Sequence, residues 1–283
     1  MSGATSAKDR ADLAAVALLV AEEAAALVAA GHRSRPRADE KGRHDLVTDF
    51  DRASEALLVA RLASLAPGVP VVGEEASGET ASREGRPGLV FYVDPLDGTT
   101  NFVHGHPYWC VAVGLMDDDR PAAGAIVAPS LGLRWVGWVD PAGAGESAAL
   151  RDGAPCAPSA EAELSDALIA TGFPAARDHA PDDNFDTFVA VKRAARGVRR
   201  CGSAAIDLCM VADGTYDAYW ERRLHAWDVV AASAVVLAAG GVVTALDGGP
   251  PNYHVGHLVA SNGLLHRPLL ALIAASEDRA RGR

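Results

Sequence analysis

The sequence predicts an α/β protein in which an α+β half is followed by a half of alternating strands and helices. Three observations carry this. The run Leu89-Val-Phe-Tyr-Val93 is β-prone without polar alternation, the mark of a strand buried on both faces. Three more strand candidates follow, Tyr108–Leu115, Ala123–Ala128 and Leu133–Trp138, separated by Gly, Pro and Asp as in antiparallel connections. Beyond about residue 165 strand and helix patterns alternate, as in an α/β layer.

Taken in order, Lys8 to Ala30 is dense in helix formers and reads as the first helix, ended by Gly31. Residues 32–44 are polar and basic, contain Pro36, and read as a mobile loop. Asp49 or Asp51 opens a second helix to about Leu65, with Ala56, Leu57, Val59, Ala60 and Leu62 on its apolar side. Val69 to Val72 is a short apolar run that delivers Gly73-Glu74-Glu75, and residues 76–88 read as a loop. The stretch 140–165, with Pro141, Pro155 and Pro158, reads as loop and holds the expected boundary between a domain of residues 1–150 and one of residues 151–283. In the second half strands are expected at Ala167–Ala170, Tyr216–Trp220, Val242–Leu246 and Leu258–Ala260. Helices are expected at Phe185–Arg196, Ala204–Ala212, Val229–Ala239 and Leu264–Ala275. Val229 to Leu246 is long and nearly apolar, yet Gly240-Gly241 divides it into a buried helix and a short strand, which excludes a membrane span.

Composition narrows the function classes. With 283 residues, 49% hydrophobic and 22% charged, the chain can bury a large core without disulfides. Its four cysteines, Cys110, Cys156, Cys201 and Cys209, form no Cys-x-x-Cys pair and no zinc spacing with His, so they read as thiols in a reducing cytoplasm. The nine histidines show no triad or metal spacing and read as structural or surface residues. A net charge of −11 argues against nucleic-acid and membrane partners. Asp9, Arg10, Asp12, Glu22 and Glu23 interrupt the Ala-rich first segment, so no secretory signal is expected and the location is read as cytoplasmic.

Four acidic motifs fall at or near the ends of elements. Asp94-Pro-Leu-Asp97-Gly-Thr-Thr-Asn101 leaves the buried run abruptly, at the sheet edge where α/β proteins place ligands. It offers two carboxylates, two hydroxyls and a turn whose N–H groups suit phosphate oxygens. Hard divalent cations such as Mg²⁺ take oxygen ligands and are shared between carboxylates and substrate phosphate. Glu74-Glu75 arrives on a short strand, where adjacent carboxylates repel unless a cation intervenes. Asp45-Leu-Val-Thr-Asp-Phe-Asp51 and Trp227-Asp228 read equally well as helix caps when taken alone.

In this order, and with Arg200-Cys-Gly-Ser-Ala-Ala205 and Trp227-Asp-Val-Val-Ala-Ala232, the segments resemble the inositol monophosphatase family over about residues 10–275. The resemblance implies a layered αβαβα sandwich, Mg²⁺ dependence with two or three ions, lithium sensitivity and a homodimer. It assigns one ion to Glu74, Asp94 and the Leu96 carbonyl, a second to Asp94, Asp97 and Asp228, and a third to Glu74. Asp51 and Thr99, with Glu74, would orient the attacking water, and the Gly98 and Thr99 N–H groups, beside Asp97, would hold the phosphate. Glu221 would read a polyol hydroxyl, and the exposed N–H groups of a helix opening at Gly202-Ser203-Ala204 would meet the substrate. Lys41 sits near a family lysine that contacts metal-bound water, with a spacing to Asp45 one residue short of some members; Ala76 stands where many members carry Ser.

The expected reaction is Mg²⁺-dependent hydrolysis of a small phosphate monoester, inositol monophosphate or a similar polyol phosphate. Histidinol phosphate, fructose 1,6-bisphosphate and a nucleotide 3′-phosphate are the alternatives on the same fold, and a noncatalytic interaction protein is a reading of a different class. Members of the superfamily differ around Glu221 and residues 172–186, with Gly172-Phe-Pro174 and Arg177; Arg222-Arg223 either favours a second anionic group or faces solvent.

Overall fold

The computed structural model describes residues 6–42, 45–75, 88–140, 143, 146–174 and 183–281. Helix α1 (Ala7–Ala29) starts where Ser6 and Asp9 satisfy each other's backbone N–H groups in a capping box. The stretch after it, expected as a loop, instead carries β1 (Ala38–Gly42), paired antiparallel with β2 (Asp45–Thr48). The polar run Asp39-Glu40-Lys41 has no strand-like composition, so pairing rather than propensity makes this hairpin. A second capping box, Thr48 with Asp51, opens α2 (Asp49–Leu65).

Seven strands then lie side by side in chain order: β3 (Val71–Gly73), β4 (Leu89–Asp97), β5 (Cys110–Asp117), β6 (Arg120–Ala128), β7 (Leu133–Trp138), β8 (Ala148–Arg151) and β9 (Ala154–Pro155). Only β3 and β4 are parallel. The short helix α3 (Thr99–Val103) joins β4 to β5. Strands β8 and β9 correct the reading of 140–165 as loop. Asp152-Gly153, both at positive φ, turns the chain between them, a hairpin signal that the prolines around it had masked. The Ala76 position and most of the expected 76–88 loop lie outside the described residues.

A second, five-stranded sheet has the order β11-β10-β12-β14-β13. It is formed by β10 (Leu168–Thr171), β11 (Gly197–Arg199), β12 (Ala218–Glu221), β13 (Val242–Thr244) and β14 (Leu258–Ser261). Its helices are α4 (Phe185–Ala194), α5 (Ala204–Ala212), α6 (Ala226–Ala238) and α7 (His266–Arg281). Strand β11 occupies residues that follow a helix ending two residues short of the expected Arg196. Helix α6 starts three residues before the expected Val229, with His225 at its N-cap, so Asp228 lies inside its first turn. Among the described residues no helix is long and apolar enough to cross a membrane.

The elements stack in five layers: α1 and α2, the seven-stranded sheet, α5 and α6, the five-stranded sheet, then α4 and α7. This is the αβαβα sandwich expected from the resemblance. Three apolar cores fill the gaps, the largest between the two sheets around α5 and α6. Strand β5 is buried at every residue from Cys110 to Met116 because helices cover both of its faces. Helix α6 approaches the large sheet so closely that a Cβ on Gly124 would lie 2.0 Å from the Ala231 carbonyl oxygen.

Candidate active site

Strand β4 runs through a register shift between Asp94 and Asp97 before the turn at Gly98. Strand β3, parallel to it, ends beside it and delivers Glu74. The close approach of α6 brings Asp228 to the same place from the middle layer. The result is a cleft of about 650 Å³ lined by Glu74, Asp94, Leu96, Asp97, Gly98, Thr99, Gly202 and Asp228. A smaller cavity of about 170 Å³ shares Asp97, Gly202 and Asp228 with it and adds Ser203, Ala204 and Glu221. Asp51 lies buried just beneath, joined to the cleft through Thr99. The fold thus brings to one place the residues expected to hold metal, water and phosphate, with Glu221 in the adjoining cavity.

The local chemistry explains each position. Gly98 has φ +94°, and a Cβ there would meet the Tyr108 carbonyl oxygen at 2.9 Å, so the tight turn after Asp97 admits no larger residue. Asp51 does two jobs. Its Oδ2 accepts from the Thr48 N–H at 2.8 Å, which caps α2, and its Oδ1 accepts from the Thr99 hydroxyl at 3.0 Å. The cap reading of this residue holds, and its other oxygen meets the Thr99 hydroxyl at the cleft wall. Asp228 accepts from the His225 N–H at 2.6 Å, so it too caps its helix while lining the cleft.

Asp97 also reaches α5. Its Oδ2 accepts from the Ser203 hydroxyl at 2.7 Å and from the Ala205 N–H at 2.8 Å. A protein carboxylate thus sits at the N-terminus of α5, where its negative charge suits the helix dipole, while Gly202, Ser203 and Ala204 line the smaller cavity. Asn101 ties the same two regions together: its Nδ2 donates to the carbonyls of Tyr108 at 2.7 Å and Cys201 at 2.9 Å.

The electrostatics are those of crowded carboxylates. Burial, then repulsion by Glu74, Asp97 and Asp228, pushes Asp94 well above the usual carboxylate range. Burial, then Glu74, does the same to Asp228. Burial raises Glu74 to about 7 even though Lys41 opposes it. The Lys41 Nζ donates to Glu74 and to Glu75, each at 2.7 Å, the place of a cation among repelling anions. The donor set is oxygen throughout, which fits a hard divalent cation. Among the described residues no three carboxylates close on one point as a finished metal cage.

Other assignments sharpen. Glu221 is 7% exposed, with burial raising its carboxyl to about 7 and its Oε2 accepting from the Tyr219 hydroxyl, so it is no surface glutamate. Arg222 is buried and pairs with Glu277 on α7, away from the cleft. Two of the histidines have structural partners: His266 sits between Thr244 and Ser261, and His32 Nδ1 accepts from Trp109. The four cysteines are unpaired. Most of the 172–186 segment, Arg177 included, lies outside the described residues, but Phe173 and Phe185 line the cleft. Asp207, Asn101 and the Phe pair were not picked out from sequence. A lone Asp in the otherwise apolar run Ala204–Ala212 is a signal that would have found the first.

Comparisons with known proteins agree with this geometry. An inositol-1-monophosphatase of Synechocystis is 37% identical over 84% of this chain and 80% of its own length. The Nus factor SuhB of Pseudomonas aeruginosa is 36% identical over 91% of this chain and 94% of its own. The solved structure of an inositol monophosphatase from Anabaena (Nostoc) superposes with a TM-score of 0.81 at 33% identity, covering 93% of this chain and 95% of that one. The sequence model of the inositol monophosphatase family matches residues 9–279, which takes in every residue of the cleft and every layer of the sandwich. The chain therefore belongs to the inositol monophosphatase family of phosphatases.

Proposed function

We propose that the chain hydrolyses a small phosphate monoester with Mg²⁺, and that the substrate is inositol monophosphate or a similar polyol phosphate. The observation that carries this reading is the crowding of Glu74, Asp94, Asp97 and Asp228 around one cleft beside the Asp51–Thr99 pair. Glu74, Asp94 and the Leu96 carbonyl would hold one ion, Asp94, Asp97 and Asp228 a second, and Glu74 a third. Bound there, the ions would neutralise the phosphate, lower the pKa of a water and stabilise the leaving alkoxide.

The protein groups have complementary work. The Thr99 hydroxyl has one proton and two protein acceptors, Asp51 Oδ1 and the Leu96 carbonyl, both at 3.0 Å. The same oxygen would accept from a water in the cleft that it lines, as Glu74 would from its other side. That water is left with a lone pair directed at phosphorus. As it attacks, its proton passes to Thr99 Oγ1 or Glu74, and a proton leaving Thr99 is received by Asp51 Oδ1. Phosphate oxygens rest on the N–H groups of Gly98 and Thr99. In-line displacement asks for positioning and charge compensation, which fits a cleft without a Cys or His nucleophile. The alcohol half lies toward Glu221, so residues 1–150 carry most of the phosphate machinery and residues 151–283 read the alcohol. A cytoplasmic homodimer belongs to the same reading.

The test is phosphate release from myo-inositol 1-phosphate, histidinol phosphate, fructose 1,6-bisphosphate and a nucleotide 3′-phosphate. Each is run with Mg²⁺, without it, and with added Li⁺. Mg²⁺-dependent, Li⁺-sensitive release, greatest for the inositol ester, is expected. No release from any of them by folded protein would overturn the proposal and favour the interaction role that the name of the Pseudomonas relative suggests.

A further inference from the structure

Beyond Asp97 and Asp228, which it shares with the main cleft, the smaller cavity holds two further carboxylates beside Arg200, and the reading above uses only one of them. Asp207, in the first turn of α5, is 1% exposed and lines this cavity together with Glu221. It comes from the middle helical layer, whereas Glu221 ends β12 of the neighbouring sheet. Each is held by a tyrosine through one oxygen. The Tyr108 hydroxyl donates to Asp207 Oδ1 at 2.6 Å, and the Tyr219 hydroxyl donates to Glu221 Oε2. Among the described residues the protein gives neither second oxygen, Asp207 Oδ2 or Glu221 Oε1, a donor, and neither is sealed from the cavity that both side chains line. An occupant that brings hydroxyl donors can therefore bond them.

The surroundings say what such an occupant is. The cavity opens into the main cleft across Asp97, Gly202 and Asp228, so whatever fills it is continuous with the reacting phosphate. Its wall also includes Thr171 and the backbone of Gly172, where a Cβ would lie 2.1 Å from the Glu221 carboxylate. Close packing at that point holds the Glu221 carboxylate in place. Tyr108 is anchored in turn, because its carbonyl accepts from Asn101 in the phosphate-binding turn. The Asp207 acceptor is thus built onto the same framework as the reaction centre.

We propose that Asp207 is a specificity-determining residue that works with Glu221 to read two hydroxyl groups on the alcohol half of the substrate. The ligand class is a phosphate monoester of a polyhydroxylated alcohol with two hydroxyls within reach of one wall. This rests on the phosphatase reading above and deepens it. An alcohol without hydroxyls leaves both acceptors unpaired, and a site built to bond a hydroxyl discriminates strongly against the analogue that lacks it.

The test is steady-state kinetics of the Mg²⁺-loaded wild type, D207N and D207A on myo-inositol 1-phosphate and on 4-nitrophenyl phosphate. D207N keeps the shape and can still accept from Tyr108; D207A removes the group, and thermal melting checks that each variant is folded. The ratio of kcat/KM for the inositol ester to that for the aryl ester is expected to fall about tenfold or more in both variants, chiefly through KM. Y108F, which frees Asp207 to turn, is expected to lower the same ratio by less. Equal losses on both substrates would mean that Asp207 only supports the fold, which overturns the inference and leaves the phosphatase reading standing. A wild type that turns over the aryl ester but shows no preference for the polyol also overturns it. A wild type inactive on both esters removes both readings.

Discussion

At Thr99, one hydroxyl separates a buried carboxylate from the cleft. Asp51 is shielded from water, and burial raises its pKa above the ordinary aspartate range despite hydrogen bonds from Thr48 and Thr99. Replacing Thr99 by Val keeps the shape and removes the proton path. Turnover of T99V is expected to fall roughly 10²- to 10⁴-fold with little change in KM, while T99S retains most of it. A T99V enzyme within a few-fold of wild type would remove the water-orienting role. Asp94 tests a different property. It is buried and repelled by three other carboxylates, so its charge is tolerable only near a cation. D94N is expected to abolish Mg²⁺-dependent turnover and to melt no lower than wild type in metal-free buffer, because it removes a repelling charge. Near-normal activity would show that Asp94 binds no ion. Asp94 and Thr99 were legible in the sequence because their motif leaves a buried strand abruptly and stands in order with four other segments, whereas Asp51 taken alone read equally well as a helix cap. Asp207 was overlooked: its one local signal is that it is the sole acid in the apolar run Ala204–Ala212, and that run does not tell which cavity it lines.

Elements decide how those residues meet. Asp228 reaches the cleft only because α6 lies almost on the backbone of the large sheet, passing Gly114 and Gly124. A Cβ on Gly114 would lie 2.5 Å from the Ala231 N, and one on Gly124 still closer to that residue's carbonyl. G124A therefore has no way to be accommodated except by lifting α6. The expected cost is about 1–3 kcal/mol of stability from overpacking, seen as a lowered Tm, with a loss of kcat beyond what unfolding explains. A G124A protein with native Tm and activity would show that the helix can slide without moving Asp228. The same scale shows where sequence reading succeeds. The buried strand β4, the antiparallel strands after it and the helices α1, α2 and α5 followed from apolar runs and caps. The strands it missed, β1, β2, β8, β9 and β11, are short and carry charged, Pro or Gly residues. They exist because a neighbouring strand supplies hydrogen bonds, and that information is not local.

At the scale of the whole molecule the site is a store of unfavourable charge. Burial raises Glu74 and Glu221 from an ordinary 4.5 to about 7, and Asp94 and Asp228 are also raised. An acid whose folded pKa exceeds its unfolded one contributes stability that is complete below about 4.5 and is lost as pH rises through about 7. Half-buried His32 and buried His266 act oppositely, since burial lowers their pKa and stability is lost as pH falls below the usual 6.5. The net slope of the metal-free protein is therefore a competition, and the cation is what separates the two. On the proposed reading Mg²⁺ would compete with protons for Glu74, Asp94, Asp97 and Asp228 but not for the histidines, so its stabilising effect would grow as the acids ionise. The gain in Tm on adding saturating Mg²⁺ to chelator-treated protein is expected to exceed the gain at pH 5 by about 4 °C or more at pH 8. D94N should lose most of that difference, whereas D207N, whose carboxylate faces the alcohol cavity, should keep it. Equal gains at the two pH values, or a D94N protein that still shows the full difference, would mean that the cation binds elsewhere and that the crowded carboxylates are held together by Lys41 alone.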